Sequence, residues 1–517
     1  MVAASAGSVA AGAADRRSNR KGKPLAPVRC ERIGRAERSP SGGLDAARWL
    51  IAYRALVVAT IGLALSACAT RPINPPLAHF EPHAGYRWAN RPDLPRNDRE
   101  TLLLLAFSGG GMRAAAFSYG VLEELRRTPV GLPAMGHSML SEVDLISGVS
   151  GGSFTALAYA LEGERVFDSY PQDFLYRDVE SALLGRLFDP VTWPSTLSSG
   201  YGRSELAEQY YDGILFHGAT FADLQGKPTP TSLVSATDIA TGLRWTFSQA
   251  DFDVICSNLN KMPLSRAAAA SSAVPVVLSP VTLNNYGGSC GYSDPAWVRA
   301  AIQPRSRAWV GNRALERYRD LRSYQQPGER PYLHLVDGGL SGNLGVTGII
   351  EALQELESDP SYRESVGVDR VRHVAIVIVN AASSPSFGYS KREASPSALE
   401  MLLQAVSVPI DRYTYESVDA LEDIVTEWKL RRQLEVSDAK LAGKPVPADA
   451  ITPLEFSVIN VSFDDLADSS EREYLLNLPT SLSLPPEAID RLRAAAASLL
   501  RNSAAYRKLV DSISAGR

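Results

Sequence analysis

A serine among glycines, Gly148-Val149-Ser150-Gly151-Gly152, follows the apolar run that opens at Val143 and precedes a small-residue segment ending near Leu161. A hydroxyl nucleophile for acyl transfer needs exposure on a strained turn, donors for the oxyanion and a base. The spacing G-x-S-x-G after a strand and before a helix meets the first need. Alone it also fits a plain glycine bend, since the chain holds 39 glycines. Donors are offered upstream by Ser108-Gly109-Gly110-Gly111-Met112-Arg113, where three glycines between strand and helix can aim successive N–H groups at one point. A phosphate loop is the competing use, but the G-K-[ST] ending of a nucleotide-binding loop is missing.

The base is the discriminating item. Of the six histidines, His79 and His83 lie in Pro-rich text and His137 and His217 in irregular text. His334 falls inside an expected strand and His373 begins one. None follows a strand at a turn, where the base of a triad belongs, so a Ser-His-Asp protease is disfavoured. Asp337, in "LHLVDGGLSGNLG", ends an apolar run and precedes Gly338-Gly339, much as Ser150 is placed. A partly desolvated carboxylate can take a serine proton; a structural Asp-Gly turn is the alternative.

These residues require strands to carry them. "TLLLLAFSGGGMRAAAFSYGVLEELRR" and "EVDLISGVSGGSFTALAYALEG" each read as strand, glycine turn and helix. Two such units in succession predict an α/β fold with a parallel sheet covered by helices. "TSLVSATDIA", "RPYLHLVDGG", "RHVAIVIVNAA" and "LEFSVINVSFDDL" are further strands, and the C-terminus from Pro485 is helical. Residues 186–224 are rich in aromatics and turn residues and fit either a cap over the site or ordinary packing. The expected organisation is a leader at 1–45, a signal at 46–67, a Pro-rich tether at 68–98, a core at 99–390 and a C-terminal helical elaboration at 391–517.

The glycine block with Arg113, the block around Ser150, and Asp337-Gly338-Gly339 resemble, in kind and order, three blocks of the patatin-like phospholipases. "ATDIATG" (236–242) and "AAASSAVPVVLSPV" (268–281) are similar to two further blocks of that family. The resemblance spans about residues 99–345. Asn343-Leu344-Gly345 departs from the Asn-x-Pro of many members. What the resemblance implies is a three-layer patatin-like fold with a mainly parallel sheet. It also implies a Ser–Asp dyad with Ser150 as nucleophile and Asp337 as base. Gly109, Gly110 and Gly111 would form the oxyanion hole, and Arg113 would support that loop or attract a phosphate. No cofactor is implied. A thioesterase or neutral lipase would use the same dyad, and a catalytically idle lipid-binding lipoprotein is the reading from another class.

Charge and cysteine usage bear on location. The first 67 residues hold eleven Lys+Arg against four Asp+Glu, so the rest is more acidic than the overall −4. An acidic body is a poor partner for nucleic acid. Arg48 and Arg54 precede the apolar run Ala55–Ala64, which is too short to span a bilayer. It ends in Leu65-Ser66-Ala67-Cys68, which resembles the bacterial lipobox. Cys68 would then carry a lipid, and Ala69 after it favours the outer membrane of the cell envelope. An uncleaved anchor or an ordinary signal is the alternative. Of Cys30, Cys68, Cys256 and Cys290, the last two remain in the exported body. They are either a disulfide or two buried thiols. No metal site is expected.

Overall fold

A computed structural model describes chiefly residues 71–91, 100–131, 137–189, 201–295, 319–358, 366–368, 371–384 and 455–515, with shorter runs at 49–54 and within 393–446. The expected leader, Cys68 and residues 190–200 lie outside them. Residues 1–61 form a unit of their own, of which 49–54 is an exposed helical stretch. Among the described residues no helix is long and apolar enough to cross a membrane.

Among the described residues eight strands form one sheet: β1 (Thr101–Phe107), β2 (Val143–Val149), β3 (Thr231–Asp238), β4 (Leu243–Thr246), β5 (Val281–Asn284), β6 (Tyr332–Asp337), β7 (His373–Asn380) and β8 (Glu455–Ser462). Their order is β5-β6-β3-β2-β1-β7-β8, with β4 paired to β3 off that path. The pairs β1–β2, β2–β3, β1–β7 and β7–β8 are parallel, whereas β6 runs antiparallel to β3 and β5.

Strand periodicity builds the layers. Leu103, Leu105 and Phe107 of β1 enter one apolar cluster, and Leu102, Leu104 and Ala106 enter another on the opposite face. Val377 and Val379 of β7 divide from Ile376 and Ile378 in the same way. Strands buried on both faces need continuous apolar runs, which is why "TLLLLAF" and "VAIVIV" read as they do. Each fully buried leucine there contributes about 1.5–3 kcal/mol. The first face is covered by α1 (Gly111–Arg127), α2 (Gly151–Glu162), α3 (Arg203–Tyr211) and α4 (Leu264–Ser271). The second is covered by α5 (Val346–Ser358), through Val346, Ile349, Ile350 and Leu353. The fold is therefore a three-layer α/β arrangement with a mostly parallel sheet.

One expectation changes. The Pro-rich stretch is not a free tether, because the chain is docked from Arg71 onward. Asn74 is buried, and its amide donates to Ser257 Oγ and Asn284 O while accepting from Asn284 N–H. Leu77 and Phe80 donate their N–H groups to the carbonyls of Cys256 and Cys290. Arg87 pairs with Asp253 at 2.9 Å, both buried. Cys256 and Cys290 are joined in a disulfide, Cα atoms 5.5 Å apart, under this strap. Free linkers and docked straps share a Pro-rich composition, so only the side-chain bonds tell them apart.

Of the two readings left open for 186–224, residues 201–224 fit ordinary packing: Tyr211, Phe216 and Phe221 are buried in the main cluster. Here α3 is tied to α4 by Glu208 and Arg266, Oε2 to Nη1 2.6 Å. The late strand expected in the C-terminal region is present. β8 extends the parallel sheet beside β7, and α6 (Pro486–Asn502) lies so close to α1 that a Cβ on Gly120 would stand 2.7 Å from the Arg493 backbone. The helical C-terminus consists of α6 and, after a break at Ser503, α7 (Ala504–Ala515).

Candidate active site

Ser150 lies between the end of β2 and the start of α2, with φ 49° and ψ −119°. That conformation costs a non-glycine residue about 1–3 kcal/mol and persists only where the surroundings hold it. The strain sits on the serine itself, while its glycines serve close approach. A Cβ on Gly151 would stand 2.0 Å from the Gly111 carbonyl oxygen, and one on Gly152 2.6 Å from that of Ser108. The two glycine blocks, some forty residues apart in sequence, are thus in backbone contact.

Asp337 ends β6. Its Oδ2 accepts the Ser150 hydroxyl at 2.8 Å and its Oδ1 accepts the Gly339 N–H at 2.7 Å. Both residues are nearly enclosed, Ser150 at 8% and Asp337 at 4% exposure. Burial pushes the Asp337 carboxyl up to about 6, against the opposing pull of the Gly339 N–H and the Ser150 hydroxyl. At neutral pH it is ionised and holds one end of the serine hydroxyl.

The glycine loop is only partly available as a donor set. Gly109 N–H is committed to the Asn343 carbonyl at 2.8 Å and Met112 N–H to that of Ser481 at 2.8 Å. The first intrahelical bond of α1 runs from Ala114 N–H to Gly110 O. That leaves the N–H groups of Gly110 and Gly111, donors that a first helical turn cannot satisfy internally. Both have positive φ, 134° and 59°. Gly109 is therefore a brace of the loop and not one of its donors, a correction to the three-glycine expectation. Arg113 is settled as well. Its guanidinium is buried and donates to Ala381 O at 2.9 Å, to Leu478 O and to Thr480 Oγ1 at 3.1 Å. It ties the loop to the C-terminal region and does not reach out for a phosphate.

Three partners were not singled out from the sequence. Ser271 at the end of α4 accepts the Ser150 N–H at 2.8 Å and donates to Ser235 O at 2.7 Å. Thr237 of β3 donates to the Asp337 carbonyl at 2.8 Å. Asn343 holds Gly109. All three lie in or beside quoted blocks, so their positions carried a signal while their roles did not. The histidines stay apart: His334 meets Thr282 and His373 meets Ser457.

A strained serine beside a buried carboxylate, with N–H donors on an adjoining glycine loop, is equipment for acyl transfer. Residues 105–350 match the patatin-like phospholipase family, so the chain carries a patatin-like phospholipase domain. Among solved structures, human GIVD cytosolic phospholipase A2 is similar at 13% identity and TM-score 0.41, over 81% of this chain and 63% of that one. The same human protein in complex with methyl gamma-linolenyl fluorophosphonate gives 11% identity and TM-score 0.35, over 80% and 59%. The chain thus spans about three fifths of those structures. No curated protein matches it in sequence.

Proposed function

We propose that the protein is a lipid-anchored acyl-ester hydrolase acting on phospholipids or related lipids, of phospholipase A or lysophospholipase type. The observation that carries this reading is the 2.8 Å hydrogen bond from Ser150 to Asp337 at the strained turn. Ser150 Oγ attacks the acyl carbonyl as its proton passes to Asp337 Oδ2. The carbonyl π electrons move onto oxygen, where the N–H groups of Gly110 and Gly111 stabilise the negative charge. Collapse expels the lipid alcohol, which takes the proton from Asp337, and leaves an ester on Ser150. Water then repeats the sequence with Asp337 as base, releasing the fatty acid.

A fluorophosphonate probe and a panel of acyl substrates test this. The wild-type protein is expected to be labelled on Ser150 and to cleave phospholipid or lysolipid esters, with Ser150→Ala losing both. Faster turnover of thioesters or triacylglycerols would redirect the substrate class. An unlabelled protein with no activity on any ester would remove the enzymatic reading.

The anchor is proposed at Cys68 on the strength of Leu65-Ser66-Ala67-Cys68, with residence in the bacterial envelope, outer membrane first. Only Ala69 and Thr70 separate that cysteine from docked Arg71. An acyl chain there would hold the body within about 10 Å of the lipid surface, given roughly 3.3–3.6 Å per residue. Cys68→Ser is expected to move the protein from the membrane to the soluble fraction and to abolish labelling by a fatty-acid precursor; unchanged lipid labelling refutes the site.

A further inference from the structure

We infer that Ser271 is a positioning residue for the acyl-transfer reaction, holding the nucleophile's backbone and the base's turn in one brace. The inference rests on the dyad reading above and goes beyond it, since neither attack nor proton transfer requires a third side chain.

The geometry is specific to one short segment. Ser271 Oγ accepts the Ser150 N–H at 2.8 Å and passes its own proton to Ser235 O on β3 at 2.7 Å. Its main-chain carbonyl accepts the Gly338 N–H at 3.0 Å, and the Ala273 carbonyl accepts the Asp337 N–H at 2.9 Å. Ser271 and Ala273 therefore bind the backbone of the serine and of the aspartate's turn at once. Ser271 is fully buried. With its hydroxyl removed, the Ser150 N–H loses its partner in a region water does not reach, at the point where φ is already positive. The elbow then relaxes at the atom that must stay aligned with Asp337. A misplacement near 1 Å is worth roughly 100-fold in rate.

The neighbouring serine is a control. Ser272 Oγ returns to the Ala268 carbonyl of its own helix at 2.8 Å. It is buried to a similar degree but touches neither Ser150 nor the Asp337 turn through that bond.

A pH readout separates positioning from mere support. The Ser150 hydroxyl is one of two hydrogen bonds that favour the ionised Asp337, the other coming from Gly339 N–H. Weakening it moves the acid limb of the rate profile to higher pH. The nearby Tyr211 phenol of α3, pushed above its ordinary value by burial, stays neutral through this range.

The test compares wild type with Ser271→Ala, Ser271→Cys, Ser271→Thr and Ser272→Ala, measuring kcat, KM, fluorophosphonate labelling rate, pH profile and melting temperature. Ser271→Ala and the near-isosteric Ser271→Cys are expected to lose roughly 10- to 100-fold in kcat and labelling, with KM within about twofold and the acid limb raised. Ser271→Thr, which keeps the hydroxyl, recovers most of the rate, and Ser272→Ala keeps all of it. If Ser271→Ala does not fold, Ser271→Cys carries the same comparison. Wild-type kcat and an unmoved acid limb in the folded variants overturn the brace, as does a loss of rate only in proportion to the fraction folded. Activity retained in Ser150→Ala would instead overturn the dyad itself.

Discussion

Asp337→Asn is expected to lower kcat/KM by roughly 10²–10⁴-fold, the range supplied by a positioned general base, while leaving the protein folded. The amide keeps the shape of the carboxylate. Its oxygen can still accept from Gly339 N–H, and its NH₂ would face Ser150 as a donor. The serine proton then has nowhere to go. In the wild type, kcat/KM should fall as the pH drops through about 6, where the carboxylate is protonated. The stability effect has the opposite sense. A carboxyl raised above its ordinary value favours the folded state most when protonated, so this contribution is complete below pH 3.8 and gone once the pH passes about 6. Asp337→Asn removes that dependence and should melt no lower than wild type at pH 8. Asp253, also raised to about 6 by burial against the pull of Arg87, titrates in the same window. Its contribution is common to both proteins and cancels in the difference. Retained hydrolysis in Asp337→Asn would eliminate Asp337 as the base.

Gly151→Ala should cost about 10²–10³-fold in kcat and in fluorophosphonate labelling, comparable to removing an oxyanion donor. The added methyl meets backbone on the opposing loop: the Gly111 oxygen at 2.0 Å, its carbonyl carbon at 2.7 Å and its nitrogen at 2.9 Å. No rotamer change relieves such a contact. Either the glycine loop withdraws, taking the Gly110 and Gly111 N–H groups with it, or the elbow withdraws and carries Ser150 away from Asp337. Gly185→Ala is the reference substitution, since its new methyl meets nothing within 4 Å on an exposed helix. It should keep full activity and gain up to about 1 kcal/mol in stability. Near-normal turnover in Gly151→Ala would contradict the close contact between the two loops.

Much of the site was legible because its chemistry is local in the chain. An apolar run, then glycines, then a small-residue helix is readable around Gly109–Gly111 and around Ser150 without any partner. Asp337 stood out by the same pattern, helped by histidines placed where none could serve. The strands β1, β2, β3, β6, β7 and β8 were legible through unbroken or alternating apolar runs. The resemblance to patatin-like phospholipases then assigned roles that local pattern alone left open.

The misreadings share one cause. Gly109 looks like its two neighbours in sequence, yet its N–H is spent on Asn343, 234 positions away. For Arg113 the sequence left loop support and phosphate attraction open; the carbonyls of Ala381 and Leu478 that hold it come from beyond the family-matched region and fit the first. The Pro-rich strap has a composition that fits a linker. Hydrogen bonds to Cys256, Asn284 and Asp253 make it part of the body instead.

By itself the sequence determined which residues are chemically able to act and which strand ends present them, because propensity, apolar period and glycine placement act over a few residues. Only the tertiary structure decided which of them meet. The Ser150–Asp337 bond joins positions 187 apart, and Ser271 reaches Ser150 across 121. Those distances close only when the sheet stacks its strand ends together. The same closure buries Asp337, raises its carboxyl toward 6 and turns an ordinary aspartate into a candidate base.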